Sequence, residues 1–234
     1  STYSLSYFLG EGESDRMPLP DVICTSGEQP QRILKEGGNP PNRLRLCGSI
    51  RYPHLTQANG QRTLRPLPEA RTSEILVVLP IDPTQSEHLL KAIERAFPDG
   101  GEASGLHFHI RSHPFCPMPA EILSFPVRWV DSQKVPLQED LKICGLVLFI
   151  SSTVGFEAMA QGRSVVRYRS DWLLDVDDLY GSTLAVCSDQ NLQKVLLSKV
   201  RFPDTVKAQS LVEEVFAPLD TRQLKSAFEV PSVA

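Results

Sequence analysis

Apolar and polar positions alternate in short blocks along this 234-residue chain, and the sharpest block lies just past its middle. Residues 146–150, Leu-Val-Leu-Phe-Ile, form a continuous apolar run bounded by turn residues, the pattern of a parallel strand covered on both faces. Ser151, Ser152 and Thr153 follow, then helical spacing over residues 154–161, with Ser152 or Thr153 as the N-cap and Gly162 as the stop. Residues 164–168 read as the next strand. The chain is organised around this strand-helix-strand unit.

The same alternation recurs on both sides of it. Upstream, a strand is expected at 21–26, a helix at 30–36 and a strand at 43–47, each bounded by glycine or proline. Proline, glutamine, asparagine and arginine then dominate 53–73, which reads as a linker between an N-terminal α/β segment, 1–52, and a second domain, 74–234. That domain opens with a strand at 74–79 and a helix capped by Ser86, in which Leu89, Leu90, Ile93, Ala96 and Phe97 recur at helical spacing. Residues 106–113 have a period of two: Leu106, Phe108 and Ile110 on one side, His107, His109, Arg111 and His113 on the other if the strand runs unbroken. A strand at 127–130, a helix at 137–143, a strand at 183–187 and helices near 190–199, 204–216 and 221–228 complete the series. Alternating strands and helices imply an α/β fold with a mainly parallel sheet.

Composition narrows the function classes. The net charge of −4 and the scattered lysines and arginines argue against a nucleic-acid surface. No apolar run is long enough to span a bilayer and no leader pattern is present, so a soluble protein is expected. The five cysteines are widely spaced and odd in number, as for free thiols in a reducing compartment. The chain starts at Ser1 without methionine, which is expected of part of a longer polypeptide or a trimmed chain.

The candidate chemistry sits at strand ends. Ser151, Ser152 and Thr153 at a helix start offer hydroxyls and backbone N–H groups to a phosphate, and Glu157, one turn on, offers a carboxylate to ribose hydroxyls. Capping alone would also account for the hydroxyls. His113-Pro114 closes another strand, and in an open parallel sheet both groups lie beyond the C-terminal strand ends, where ligands bind. A histidine there can donate to a phosphate while hydroxyls and amides stabilise its charge, with no metal or other cofactor. His107-x-His109 lacks a third ligand for a metal. Asp175-Val-Asp-Asp178 fits a helix cap or solvated loop better than a metal motif. The Gly-x-Ser-x-Gly elbow, the dinucleotide fingerprint and the Walker loop are all missing. Arg163, Arg167 and Arg169 form a local positive cluster suited to an anionic sugar or to a solvated edge.

The His113-Pro114 pair, the Ser151-Ser152-Thr153 turn, Glu157 and Gly162, in that order over residues 21–168, resemble the donor-binding C-terminal domain of GT-B glycosyltransferases. More narrowly they are similar to bacterial enzymes that use CMP-sugars, the sialyl-, polysialyl- and Kdo transferases of surface polysaccharides, and to CDP-glycerol glycerophosphotransferases. The resemblance implies a Rossmann-like parallel sheet flanked by helices, preceded by the tail of an N-terminal α/β domain whose acceptor site and base are absent here. It also implies that His113, Pro114, Ser151, Ser152 and Thr153 hold the CMP phosphate and Glu157 the ribose, with Lys134 and Val135 in the segment 130–137 near the base and the loop 82–86 facing the phosphate. The implied partners are a CMP-sugar donor and a glycan or glycolipid acceptor, in the cytoplasm, with peripheral membrane association through the full-length enzyme. Ser164 stands where the family often has proline. A UDP-sugar transferase, a protein resembling UDP-GlcNAc 2-epimerase, and a non-catalytic nucleotide-binding module are the alternative readings.

Overall fold

The computed structural model describes residues 9–10, 12–55, 70–119, 122–170, 184–198 and 205–229. The chain divides into two units, one holding the described residues between 66 and 208, the other those before 66 and after 208. The division departs from the expected boundaries at the C-terminal end, where the last segment groups with the N-terminal one. The Asp175–Asp178 motif and most of the expected linker lie outside the described residues.

The smaller unit pairs β1 (Ile23–Thr25) in parallel with β2 (Leu44–Leu46) around α1 (Glu28–Glu36). The C-terminal segment joins it through backbone hydrogen bonds, Ala217 N–H to the Ser26 carbonyl at 2.7 Å and Ser49 N–H to the Ala217 carbonyl at 3.0 Å. Gly48 permits this approach. Its φ is 79°, and a Cβ there would stand 2.0 Å from the Pro218 carbonyl oxygen. The amphipathic helix α7 (Thr221–Phe228) is capped by Asp220, whose carboxylate accepts from Arg222 and Gln223 N–H.

The larger unit holds a six-stranded, wholly parallel sheet. Its strands are β3 (Arg71–Val78), β4 (His107–Arg111), β5 (Arg128–Val130), β6 (Cys144–Phe149), β7 (Ser164–Tyr168) and β8 (Ala185–Cys187). The spatial order is β5-β4-β3-β6-β7-β8. The sheet therefore grows outward from β3 in one direction through β4 and β5, and in the other through β6, β7 and β8. That reversal between β3 and β6 is the switch point at which doubly wound sheets open a ligand crevice beyond their C-terminal strand ends. The parallel α/β sheet expected from the alternating blocks is the one observed, in the Rossmann-like form that the resemblance implies.

The two faces of the sheet differ in chemistry. On one, Ile75, Val77, Phe108, Ile110, Leu146, Leu148, Val166 and Tyr168 pack with α2 (Pro83–Ala96) and α5 (Leu192–Leu197) into one apolar core. On the other, toward α3 (Leu137–Ile143), Leu76, Val78, Val147, Phe149 and Val165 are buried as well, and polar side chains are set among them on β3 and β4. His109 is buried there, its Nε2 2.7 Å from Glu74 Oε2 and its Nδ1 3.0 Å from Arg128 Nη1. Arginine only donates, so Nδ1 accepts and the ring N–H on Nε2 is directed at Glu74. Arg111 reaches Asp140 of α3 at 2.7 Å. The alternation over 106–111 is as expected; on the histidine-bearing face His107 is exposed, whereas His109 is covered and Arg111 half-covered, their polar atoms paired with Glu74, Arg128 and Asp140.

Helix ends differ in detail. Asp82, not Ser86, caps α2: its carboxylate accepts from Thr84 N–H at 2.8 Å, and Pro83 takes the first helical position. Proline there lacks only an N–H that would have no helical partner, so the helix starts earlier than the apolar periodicity shows. Ser86 is buried and donates to the Pro80 carbonyl. Further helices are α4 (Val154–Ala160), stopped as expected at Gly162, whose φ is 75°, and α6 (Thr205–Val215). No helix among the described residues is long and apolar enough to cross a membrane.

Candidate functional site

The C-terminal strand ends carry the loops that can meet a ligand. From the β5 edge inward these are residues 131–136, 112–118 and 79–82, and past the switch point 150–153. β4 and β6 flank β3, so the loops bearing His113 and Ser151-Ser152-Thr153 leave the sheet about 10 Å apart, two strand spacings.

β4 ends at Arg111, two residues before His113, so the histidine leaves the strand alternation and forms an isolated antiparallel bridge with Cys116. It lines an open pocket of about 410 Å³ together with Ser112, Trp129, Asp131, Ser132 and Gln133. Phe115 N–H donates to His113 Nδ1 at 3.2 Å, which leaves the proton of the neutral ring on Nε2 as a donor. Partial burial lowers the His113 pKa from its ordinary 6.5. A neutral imidazole with a fixed N–H donor is thus set beside the pocket. Pro114 also lines it, and its carbonyl accepts from Gln133 Nε2 at 3.1 Å, a brace between the two loops.

Lys134 and Val135 lie on the 131–136 loop but do not line the pocket. Lys134 is largely exposed and pairs with Asp131 at 2.9 Å. This hydrogen bond is the first cause both of the raised Lys134 pKa and of the lowered Asp131 pKa. The Val135 carbonyl accepts from Arg111 Nη1 at 2.9 Å.

On the other side of β3, Ser151, Ser152 and Thr153 are half-buried. Thr153 takes the cap position of α4, and Ser152 Oγ accepts from Val154 N–H at 3.2 Å. Glu157 is half-buried in the first turn. The turn is not part of the His113 pocket, so the structure places the two motifs on one side of the sheet at separate positions. Beneath the turn, Arg167 is buried and its Nε donates to the Ile150 carbonyl at 3.1 Å. Arg163 is buried too, and its Nε donates to the Leu141 carbonyl at 2.6 Å. These two arginines are structural supports of β6, α3 and the turn, so of the two readings of the cluster, an anionic-sugar contact or a solvated edge, the solvated edge does not apply to them.

Sequence reasoning did not single out Gln133, Asp140 or Arg111 for the pocket. The one signal was in α3, where Asp140 sits at helical spacing from Leu137 and Cys144, an acid on an apolar stripe.

No protein-family model and no curated protein matches the chain. Solved structures do. The crystal structure of TarM superposes with a TM-score of 0.52 at 13% identity, over 93% of this chain and 45% of that one. The wall teichoic acid polymerase TagF, soaked with CDPG, gives 0.46 at 11% identity, over 88% and 56%. The S. aureus MnaA-UDP co-structure gives 0.48 at 13% identity, over 88% and 58%. The chain thus spans about half the length of each of these structures. The likeness to TarM is one of fold, the parallel Rossmann-like sheet flanked by helices.

Proposed function

We propose that this chain is the donor-binding part of a GT-B glycosyltransferase, holding a nucleotide-sugar in the crevice at the β3/β6 switch point. The observation that carries the reading is the placement of the His113 loop and the Ser151-Ser152-Thr153 turn on either side of β3, at the C-terminal ends of one parallel sheet. The GT-B fold agrees with it.

In this reading the nucleotide phosphate is held by His113 Nε2–H from one side and by the hydroxyls and N–H groups of residues 151–154 from the other. Glu157 accepts from the ribose, and the 131–136 loop walls the His113 pocket. Transfer breaks the bond between the anomeric carbon and the leaving phosphate, which departs with the nucleotide, and forms a new one to an acceptor hydroxyl of a bacterial surface glycan or glycolipid, whose proton passes to a base on the acceptor side of the enzyme. The donors on His113 and the turn stabilise the charge that develops on the leaving phosphate, so the step needs no metal. The His-Pro and Ser-Ser-Thr motifs favour a CMP-activated acidic sugar such as Kdo or sialic acid; a UDP-sugar is the second donor class. The enzyme would work in the cytoplasm, at the membrane face where such acceptors are made.

Calorimetric titration with CMP, CDP, UMP and UDP tests this. Binding of CMP that weakens at least about ten-fold, roughly 1.4 kcal/mol, in both His113→Ala and Ser152→Ala supports the CMP-sugar reading. Preference for UDP moves the donor to the UDP class. No binding of any of the four at millimolar concentration overturns the proposal.

A further inference from the structure

We infer that Arg111 is a positioning residue for the nucleotide pocket: braced on the buried carboxylate of Asp140, its guanidinium holds the 131–136 loop in the shape that forms the wall facing His113. This rests on the reading of that pocket as part of the donor site.

The contacts form one continuous path. Arg111 is the last residue of β4, on the face of the sheet that meets α3. Its Nη1 donates to Asp140 Oδ2 at 2.7 Å and to the Val135 carbonyl at 2.9 Å, and its Nη2 to the Ser132 carbonyl at 3.3 Å. Asp140 has no exposed surface. Water therefore does not compete for its charge, and the guanidinium is held by it. Arg128 is the other cation near this carboxylate, at 3.9 Å and partly exposed. The two carbonyls that Arg111 takes lie three residues apart in a loop outside the sheet ladder, where backbone acceptors need a partner from elsewhere.

The loop passes this order on to the pocket. Asp131 turns the chain: its carboxylate accepts from Gln133 N–H at 3.0 Å, and its carbonyl from Lys134 and Val135 N–H at 3.1 and 2.9 Å. Gln133 then reaches across to the carbonyl of Pro114, the residue after His113. Guanidinium is the group this geometry requires. A lysine ammonium keeps the charge opposite Asp140 but is a point donor that does not span two carbonyls and a carboxylate in a planar fork.

The test compares Arg111→Lys, Arg111→Met and His113→Ala in the full chain, by thermal melting, amide hydrogen exchange of residues 131–136, and calorimetry with CMP, CDP and UDP. Arg111→Met strands the Asp140 charge and melts early whether or not the inference holds, so Arg111→Lys decides. It is expected to melt near the wild type, to exchange the amides of Gln133, Lys134 and Val135 about ten-fold faster, and to bind the preferred nucleotide about ten-fold more weakly. His113→Ala is expected to lose affinity with loop exchange unchanged. Wild-type exchange in Arg111→Lys overturns the inference, as does a melting loss equal to that of Arg111→Met, which would make the role one of stability alone. If the wild type binds no nucleotide, the donor-site reading fails and with it the assignment to a nucleotide pocket, while the exchange comparison still decides whether Arg111 braces the loop.

Discussion

The backbone N–H of Phe115 points at Nδ1 of His113 from 3.2 Å, and this contact sets which nitrogen the ring can offer to a ligand. Protonating Nδ1 would put two hydrogens face to face. Partial burial acts in the same direction and lowers the pKa of His113 from 6.5. The sign follows from linkage. As pH falls, the unfolded chain takes up its proton first, so the contribution of His113 to stability is complete above about pH 6.5 and is lost as pH drops through the folded value. Ring titration by NMR is expected to place the apo midpoint below 6.5, and the bound midpoint higher once a phosphate faces Nε2. An apo midpoint at or above 6.5 would contradict the assignment.

Gly48 tests the smaller unit. Its φ of 79° disfavours any side chain, and the Cβ of alanine would fall 2.0 Å from the Pro218 carbonyl oxygen. The neighbour is backbone, so relief requires moving the C-terminal segment off β2. Gly48→Ala is expected to cost about 2–4 kcal/mol, from the left-handed backbone and the displaced contacts together. Urea unfolding measures it, and a loss under about 0.5 kcal/mol would show that the segment does not bind there as described.

Tyr168 ends β7 with no exposed surface, and its hydroxyl donates to Asp189 Oδ1 at 2.5 Å. Burial first, and then this bond, raise its pKa far above the ordinary value, so it stays a donor at any working pH. Asp189 also meets His88 at 3.4 Å and Arg95 at 3.2 Å, which ties α2 to the loop after β8. Tyr168→Phe removes only the hydroxyl and leaves Asp189 with its cation and partial access to water. A loss of about 1–2 kcal/mol is expected in chemical denaturation, the scale of one hydrogen bond to a charged group. A neutral outcome would mean that the bond is replaced by solvent.

Strand and helix alternation was legible because it follows from burial. Residues covered on both faces, such as Val147 and Leu148, leave an apolar run whatever their tertiary partners are. The boundaries of α2 were less so, since Asp82 and Pro83 start a helix by capping geometry that apolar spacing does not record. The polar side of β4 was readable only as a pattern. Histidine and arginine at alternate positions look the same whether they meet water or a buried Asp140, and only the packing of α3 against β3 and β6 separates the two. The same limit applies to the candidate site. His113 and Ser152 can be chosen from local chemistry, but Gln133 reaches Pro114 because of the strand order, which no local window contains.

The thiols provide a measure of opening that joins these arguments. Cys24 is exposed, whereas Cys144 and Cys187 are buried, and burial pushes the pKa of each to about 12. Only a thiolate attacks a disulfide reagent, so at pH 8 the two buried groups are both out of reach and almost wholly protonated. They react through the open state, at a rate proportional to its population, provided that reclosing is faster than labelling. Cys24 is therefore expected to react with an aromatic disulfide reagent first, with Cys144 and Cys187 slower by orders of magnitude. Cys187 pairs with Tyr168 across β8 and β7. If the hydroxyl of Tyr168 is worth about 1–2 kcal/mol, Tyr168→Phe should speed labelling of Cys187 by about 5- to 30-fold while leaving Cys24 unchanged. Mass spectrometry of labelled peptides reads each cysteine separately. Equal rates at Cys24 and Cys187 in the native protein would refute the burial of Cys187 on which this expectation rests.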